Sequence, residues 1–124
     1  MSEGSARSDT LAALAKEVQA FCEAREWDPF HSPKDLAIGL ATEAAELLAQ
    51  FRFLSDEEVE ERLADANDRL AIEHEIGDTL FFLLRFCERN GIDPANALRA
   101  KLVVNESKYP VERSRGSNRK YDRL

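Results

Sequence analysis

A chain of 124 residues is long enough for one domain with a core, and 44% hydrophobic against 33% charged residues excludes a disordered or fibrous class. With 5 Gly, 4 Pro and few runs of β-branched residues, the composition favours an all-α protein. The formal net charge of −7 argues against a nucleic-acid polymer as partner.

The charge is uneven. Residues 105–124 hold six bases (Lys108, Arg113, Arg115, Arg119, Lys120, Arg123) against three acids (Glu106, Glu112, Asp122). A basic tail on an acidic body suits a polyanionic ligand or a neighbouring subunit, and a solvated tail is the plain alternative. Cys22 and Cys87 have no metal or CxxC spacing and fall in apolar patterns, so both read as buried free thiols. The chain shows no signal-peptide pattern and no membrane-length apolar run, so a cytoplasmic protein without a membrane partner is expected.

In chain order, residues 1–8 read as a flexible start, 9–110 as one helical domain and 111–124 as a basic tail. A first helix is predicted from near Asp9 to about Glu26, with Leu11, Leu14, Val18, Phe21 and Cys22 forming one apolar stripe. The loop Trp27-Asp28-Pro29-Phe30-His31 follows. Ser32, Pro33 and Asp35 then mark a helix start with a capping box, continuing to about Leu54. Ser55 with Glu58 caps a strongly charged segment to about Asn67, either an exposed helix or an irregular link.

A long helix is predicted from about Asp68 to Arg89. Its Phe81–Leu84 run is apolar around most of the circumference and calls for burial on several sides, which a second subunit would supply. Asn90-Gly91 stops it, and Asp93-Pro94 opens a last helix that ends near Tyr109-Pro110.

Two acidic pairs stand on these apolar helices, Glu43 with Glu46 and Glu75 with Asp78. Residues three apart share a helix face. The flanking Leu47, Leu48, Ile76 and Leu80 place the acids at the edge of a core, where like charges call for a compensating cation. Four carboxylates and no softer donor favour Mg²⁺, with Mn²⁺ as a substitute, over Zn²⁺. A solvated acidic face is the bland reading of the same spacing. Glu73 lies about 200° around the helix from Glu75 and reads as a surface or ion-pair residue. A di-iron site needs Glu-x-x-His motifs, and both His31 and His74 lack the Glu.

These residues resemble the MazG-like all-α nucleoside triphosphate pyrophosphohydrolases, whose hallmark is E-x-x-E followed after a spacer by E-x-x-D. Here it reads Glu43-Ala44-Ala45-Glu46 and Glu75-Ile76-Gly77-Asp78. The segment 26–33 is similar to the aromatic entry of the dCTP pyrophosphatase branch. Segments 105–111 and 117–121 are similar to its C-terminal signature, so the resemblance runs from about Phe21 to the end.

It implies a bundle of four to five helices completed by homo-oligomerisation, as dimer or tetramer. It also implies hydrolysis of a nucleoside triphosphate to the monophosphate and pyrophosphate. Glu43, Glu46, Glu75 and Asp78 would then hold the metal, with Glu46, or else Glu43, activating the water. Trp27, His31 and Phe53 would form the base pocket. Asn105, Lys108, Tyr109 and Lys120 would bind phosphates or order the tail. That branch carries Trp where Phe53 stands, and Phe offers less stacking area and no N–H donor. A noncatalytic helical protein that binds nucleotide or metal is the rival from another class.

Overall fold

The computed structural model describes residues 7–124, and every secondary-structure element among them is helical. The expectation of a flexible start at residues 1–8 lies largely outside the described residues. No described helix is long and apolar enough to cross a membrane. The chain divides into two compact units, meeting in sequence at Gly91 and Ile92.

The first unit contains α1 (Leu11–Glu23), α2 (Pro33–Ala49), α3 (Asp56–Ala64) and α4 (Ala66–Arg89). Its centre is α4, which packs most extensively on α2 and also meets α1 and α3. The core is small: among the described residues Cys22, Leu36, Ile72, Leu84 and Cys87 are the buried apolar ones, and both cysteines are buried outside any disulfide. Four aromatic rings and an imidazole continue it as a chain of edge-to-face contacts. Phe82 meets Phe81 at 5.4 Å, Phe81 meets Phe21 at 5.9 Å, Phe21 meets Trp27 at 5.7 Å and Trp27 meets His31 at 5.9 Å. Such pairs add to the area they bury, so the chain ties α4 to α1 and to the loop after it.

Cap chemistry explains most boundaries. Ser55 and Glu58 form the full capping box, with bonds of 3.1 and 3.2 Å. Ser32 makes only half of one. Its Oγ accepts from the Asp35 N–H, while the shorter Asp side chain makes no return bond to the Ser32 backbone. Asp65 ends α3 and also caps α4, accepting from the Asp68 N–H, which starts α4 two residues before the predicted Asp68. At the other end α2 stops at Ala49 rather than Leu54. The Arg62 guanidinium satisfies the Gln50 carbonyl just past the last turn, and Phe53 turns to φ 70. α1 stops at Glu23 rather than Glu26, and Glu26 itself adopts φ 54.

Burial differs from expectation at the apolar run of α4. Leu84 is buried and Phe81 and Phe82 are half-buried, but Leu83 keeps 40% of its surface exposed. Successive side chains step by about 100° around a helix, so the neighbours of a single chain cannot cover all four.

At Gly39, α2 packs directly against the Phe82 ring of α4. A Cβ there would collide with the Phe82 ring. Gly39→Ala gains helix propensity of about 1 kcal/mol but overpacks the helix contact by about 1–3 kcal/mol. A modest net destabilisation of about 1 kcal/mol is expected as a lower urea midpoint. A raised midpoint would show that Phe82 swings aside freely.

The second unit contains α5 (Pro94–Lys108), α6 (Val111–Ser114) and a closing 3₁₀ turn, Tyr121–Arg123. Asp93 caps α5 by accepting from the Ala95 and Asn96 N–H groups. Here the tail is not wholly irregular. Tyr109 and Tyr121 meet edge to face at 6.0 Å, so the end of the chain folds back on the end of α5.

Candidate active site

The close approach of α2 and α4 determines which acids meet. Gly39 faces Phe82, and one turn on along α2 Glu43 faces Asp78, one turn back on α4. The two helices therefore run antiparallel. Glu43, Glu75 and Asp78 each offer a carboxylate oxygen, and these oxygens lie within 4.8 Å of one another. Glu43 and Glu75 are half-buried and Asp78 is exposed. Glu46 is exposed and stands outside this tight group, yet its charge still reaches Glu43.

The electrostatics favour a proton or a cation among these acids. Glu43 holds its proton above the usual carboxylate range. The largest cause is its hydrogen-bonding contact with Glu75, followed by burial and the charges of Asp78, Glu75 and Glu46. Two like charges 4 Å apart near a protein surface repel by about 4 kcal/mol, so three ionised acids this close are stable only with a proton or a cation among them. Glu75 adds a second sign, because its Oε2 is buried without a hydrogen-bond partner. Native structures rarely leave such an atom unmatched. The donors are all carboxylate oxygens, with no thiol or imidazole among them. The set thus fits a hard, oxygen-seeking divalent ion. Glu73 turns away and pairs with Arg69 at 3.5 Å, as its place on the helix implied.

Trp27 and His31 come together, with Trp27 half-buried between Phe21 and His31. Phe53 makes no ring contact with either. It is 89% exposed, in a left-handed conformation, with only the Arg52 guanidinium over its ring at 4.6 Å among the described residues. In the C-terminal unit, Lys108 and Lys120 place their ammonium groups 4.8 and 5.7 Å from the Tyr121 ring, beside Tyr109. Asn105 is half-buried, and its carbonyl accepts from the Tyr109 N–H at 2.7 Å.

Sequence reasoning missed Arg85. It is fully buried, ion-paired to Asp28 at 2.6 Å and to Glu88 at 2.7 Å, and its Nε–H donates to His31 Nδ1 at 2.9 Å. Arg89 adds a second, longer pair to Asp28 at 3.4 Å. The available signal was a lone cation at the end of the Leu80–Leu84 run, where an ionised group needs a partner.

An antiparallel helix pair presenting a carboxylate cradle is the equipment of an all-α metal-assisted phosphohydrolase. The sequence model of the MazG-like family matches residues 38–124. The chain is 33% identical to dCTP pyrophosphatase 1 of Rattus norvegicus over 115 residues, 93% of this chain and 68% of that protein. It is 30% identical to the Homo sapiens dCTP pyrophosphatase 1 over the same spans. The crystal structure of a pyrophosphatase from Archaeoglobus fulgidus superposes with a TM-score of 0.76 at 34% identity, covering 86% of this chain and 97% of that one. The chain belongs to the MazG-like family, and it is a nucleoside triphosphate pyrophosphohydrolase.

Proposed function

We propose that this enzyme hydrolyses deoxynucleoside triphosphates with Mg²⁺ as its ion and Mn²⁺ as a substitute, prefers dCTP-like substrates, and clears surplus or noncanonical dNTPs. One observation carries the metal reading: three carboxylates converge from two helices, with Glu75 Oε2 buried and unmatched. The names of the mammalian relatives support the base preference.

Glu43, Glu75 and Asp78 would hold the ion, and Glu46, one turn on from Glu43, would join them or face the water. The ion supplies charge neutralisation of the triphosphate and acidifies water. Glu46 takes the proton of a water directed at the α-phosphorus. The bond from that phosphorus to the bridging oxygen breaks, and pyrophosphate leaves with the electron pair. α2 and α4 keep the acids in place through the reaction because Gly39 and Phe82 lock their spacing.

Trp27, His31 and Phe53 are proposed to receive the base. Phe53 supports this by its cost. A large apolar side chain that is nearly all exposed and set at positive φ gains little within its own chain, so an external partner is its natural function. Lys108 and Lys120 stand by Tyr121 and Tyr109, and with Asn105 and Tyr109 they are proposed to contact phosphate oxygens. The test is a dNTP panel with Mg²⁺ or Mn²⁺. Monophosphate and pyrophosphate should appear, fastest from dCTP or a close analogue. Orthophosphate as product, or equal rates with all bases, would contradict the activity or the preference respectively.

A homo-oligomer is part of the same proposal, supported by the exposed Ile38, Leu48, Leu70, Ile76 and Leu83 on α2 and α4. Sedimentation should give a multiple of the single-chain mass, and a monomer at micromolar concentration would remove that part.

A further inference from the structure

We propose that Arg85 is a positioning residue for base recognition, which fixes His31 as the neutral tautomer protonated at Nε2 so that the ring offers an N–H to an acceptor on the nucleobase. This rests on the reading that His31 belongs to the base pocket.

The argument begins with proton inventory. An arginine guanidinium is always protonated and only donates. Its Nε–H lies 2.9 Å from His31 Nδ1 in a buried contact, so Nδ1 must be the lone-pair nitrogen and the ring proton must sit on Nε2. The donor cannot drift. Arg85 is held at one end of the fork by Glu88 and at the other by Asp28, and Asp28 is held in turn by Arg89 through both its side chain and its carbonyl. Nε2 has no hydrogen-bond partner among the described residues, and it is not among the buried atoms that lack one. It is thus an uncommitted donor that reaches the surface beside the half-buried Trp27 ring. A flat ring and one fixed donor are what an edge-reading base contact needs: stacking supplies affinity, and the donor selects a carbonyl oxygen or ring nitrogen over an exocyclic amine.

The charges around the ring keep it in that state. Asp28 faces it from a short 3₁₀ turn, Asp28–Phe30, and Arg85, Glu88 and Arg89 face it from α4. Burial first, and then the two arginines, hold the imidazole below its ordinary range against the opposing carboxylates. The ring therefore stays neutral through neutral pH, and base preference will not follow the usual histidine titration.

The test uses the full chain, ¹⁵N-labelled, with His74→Gln so that one imidazole remains, read by long-range ¹H–¹⁵N correlation. His31 should show an unprotonated Nδ1 and a protonated Nε2 at about pH 8, and the ring should take its second proton only below the ordinary histidine midpoint. In Arg85→Met the two tautomers should mix, the ring should titrate at higher pH, and KM for the preferred dNTP should rise about tenfold with a smaller change in kcat. A protonated Nδ1 in the chain with Arg85 intact, or an identical tautomer and titration in Arg85→Met, overturns the positioning role. If Arg85→Met does not fold, the spectrum with Arg85 present still decides the tautomer. His31→Phe separates the underlying reading. Unchanged KM for every base, with the tautomer fixed as stated, overturns the place of His31 in the base pocket rather than the hold of Arg85 on the ring.

Discussion

Glu75→Gln should lower kcat/KM by about 10³-fold or more, while the variant melts at the same temperature as the parent or higher. Glu75 has the one carboxylate oxygen of the trio that is buried and unmatched, so it loses most when the cation is weakened. A ligand to a catalytic ion contributes several kcal/mol of transition-state stabilisation, and each 1.36 kcal/mol is tenfold in rate. The stability change runs the other way because Gln is the same size and removes one of three crowded charges. Glu43 should then release its proton more easily, since its contact with the Glu75 carboxylate is the main reason it holds on. Loss of activity with gain of stability marks a site strained for function. Activity within tenfold of the parent, or activity lost together with the fold, would remove Glu75 from the ion site.

Arg85→Met should lower stability by about 3 kcal/mol, seen as a fall in Tm of about 10 °C. Arg85 is 0% exposed, and the change leaves the Glu88 side chain, only 15% exposed, without its cation and His31 Nδ1 without its donor. The Asp28 side chain is 50% exposed, so water screens its share of the loss, and the figure sits at the low end for a broken buried pair. Adding Glu88→Leu should recover part of the loss, because the damage lies in the orphaned carboxylate rather than in missing volume. A single variant as stable as the parent would mean that the network is energetically neutral and serves geometry alone.

The placement of the candidate site's acids was legible because it is periodic. Glu43, Glu75 and Asp78 could be placed on core-edge faces from three-residue spacing and apolar flanks, and the antiparallel pairing of α2 with α4 brings those three within reach of one ion. Glu46 has the same spacing but stands outside the tight group, since no pattern in one helix says how far its neighbour reaches. Caps with a short-range mechanism were readable too: Ser55 with Glu58 is a complete box, while Ser32 with Asp35 stops at half because Asp is one methylene too short.

What stayed hidden depends on distant partners. Arg85 meets His31 and Asp28 across 54 and 57 residues of sequence, and hydrophobic periodicity contains no record of such an encounter. α1 and α2 end early and the chain then turns at Glu26 and Phe53 with positive φ, residues that give no turn signal of their own. The incomplete burial of Leu83 was half foreseen. The pattern demanded cover all round, and one chain does not provide it.

The most direct test of the central claim is hydrolysis of dCTP in H₂¹⁸O with Mg²⁺, followed by mass spectrometry of both products. Attack on the α-phosphorus places one ¹⁸O in the monophosphate and none in pyrophosphate. Label in the pyrophosphate, or the release of labelled orthophosphate with a diphosphate product, would contradict it.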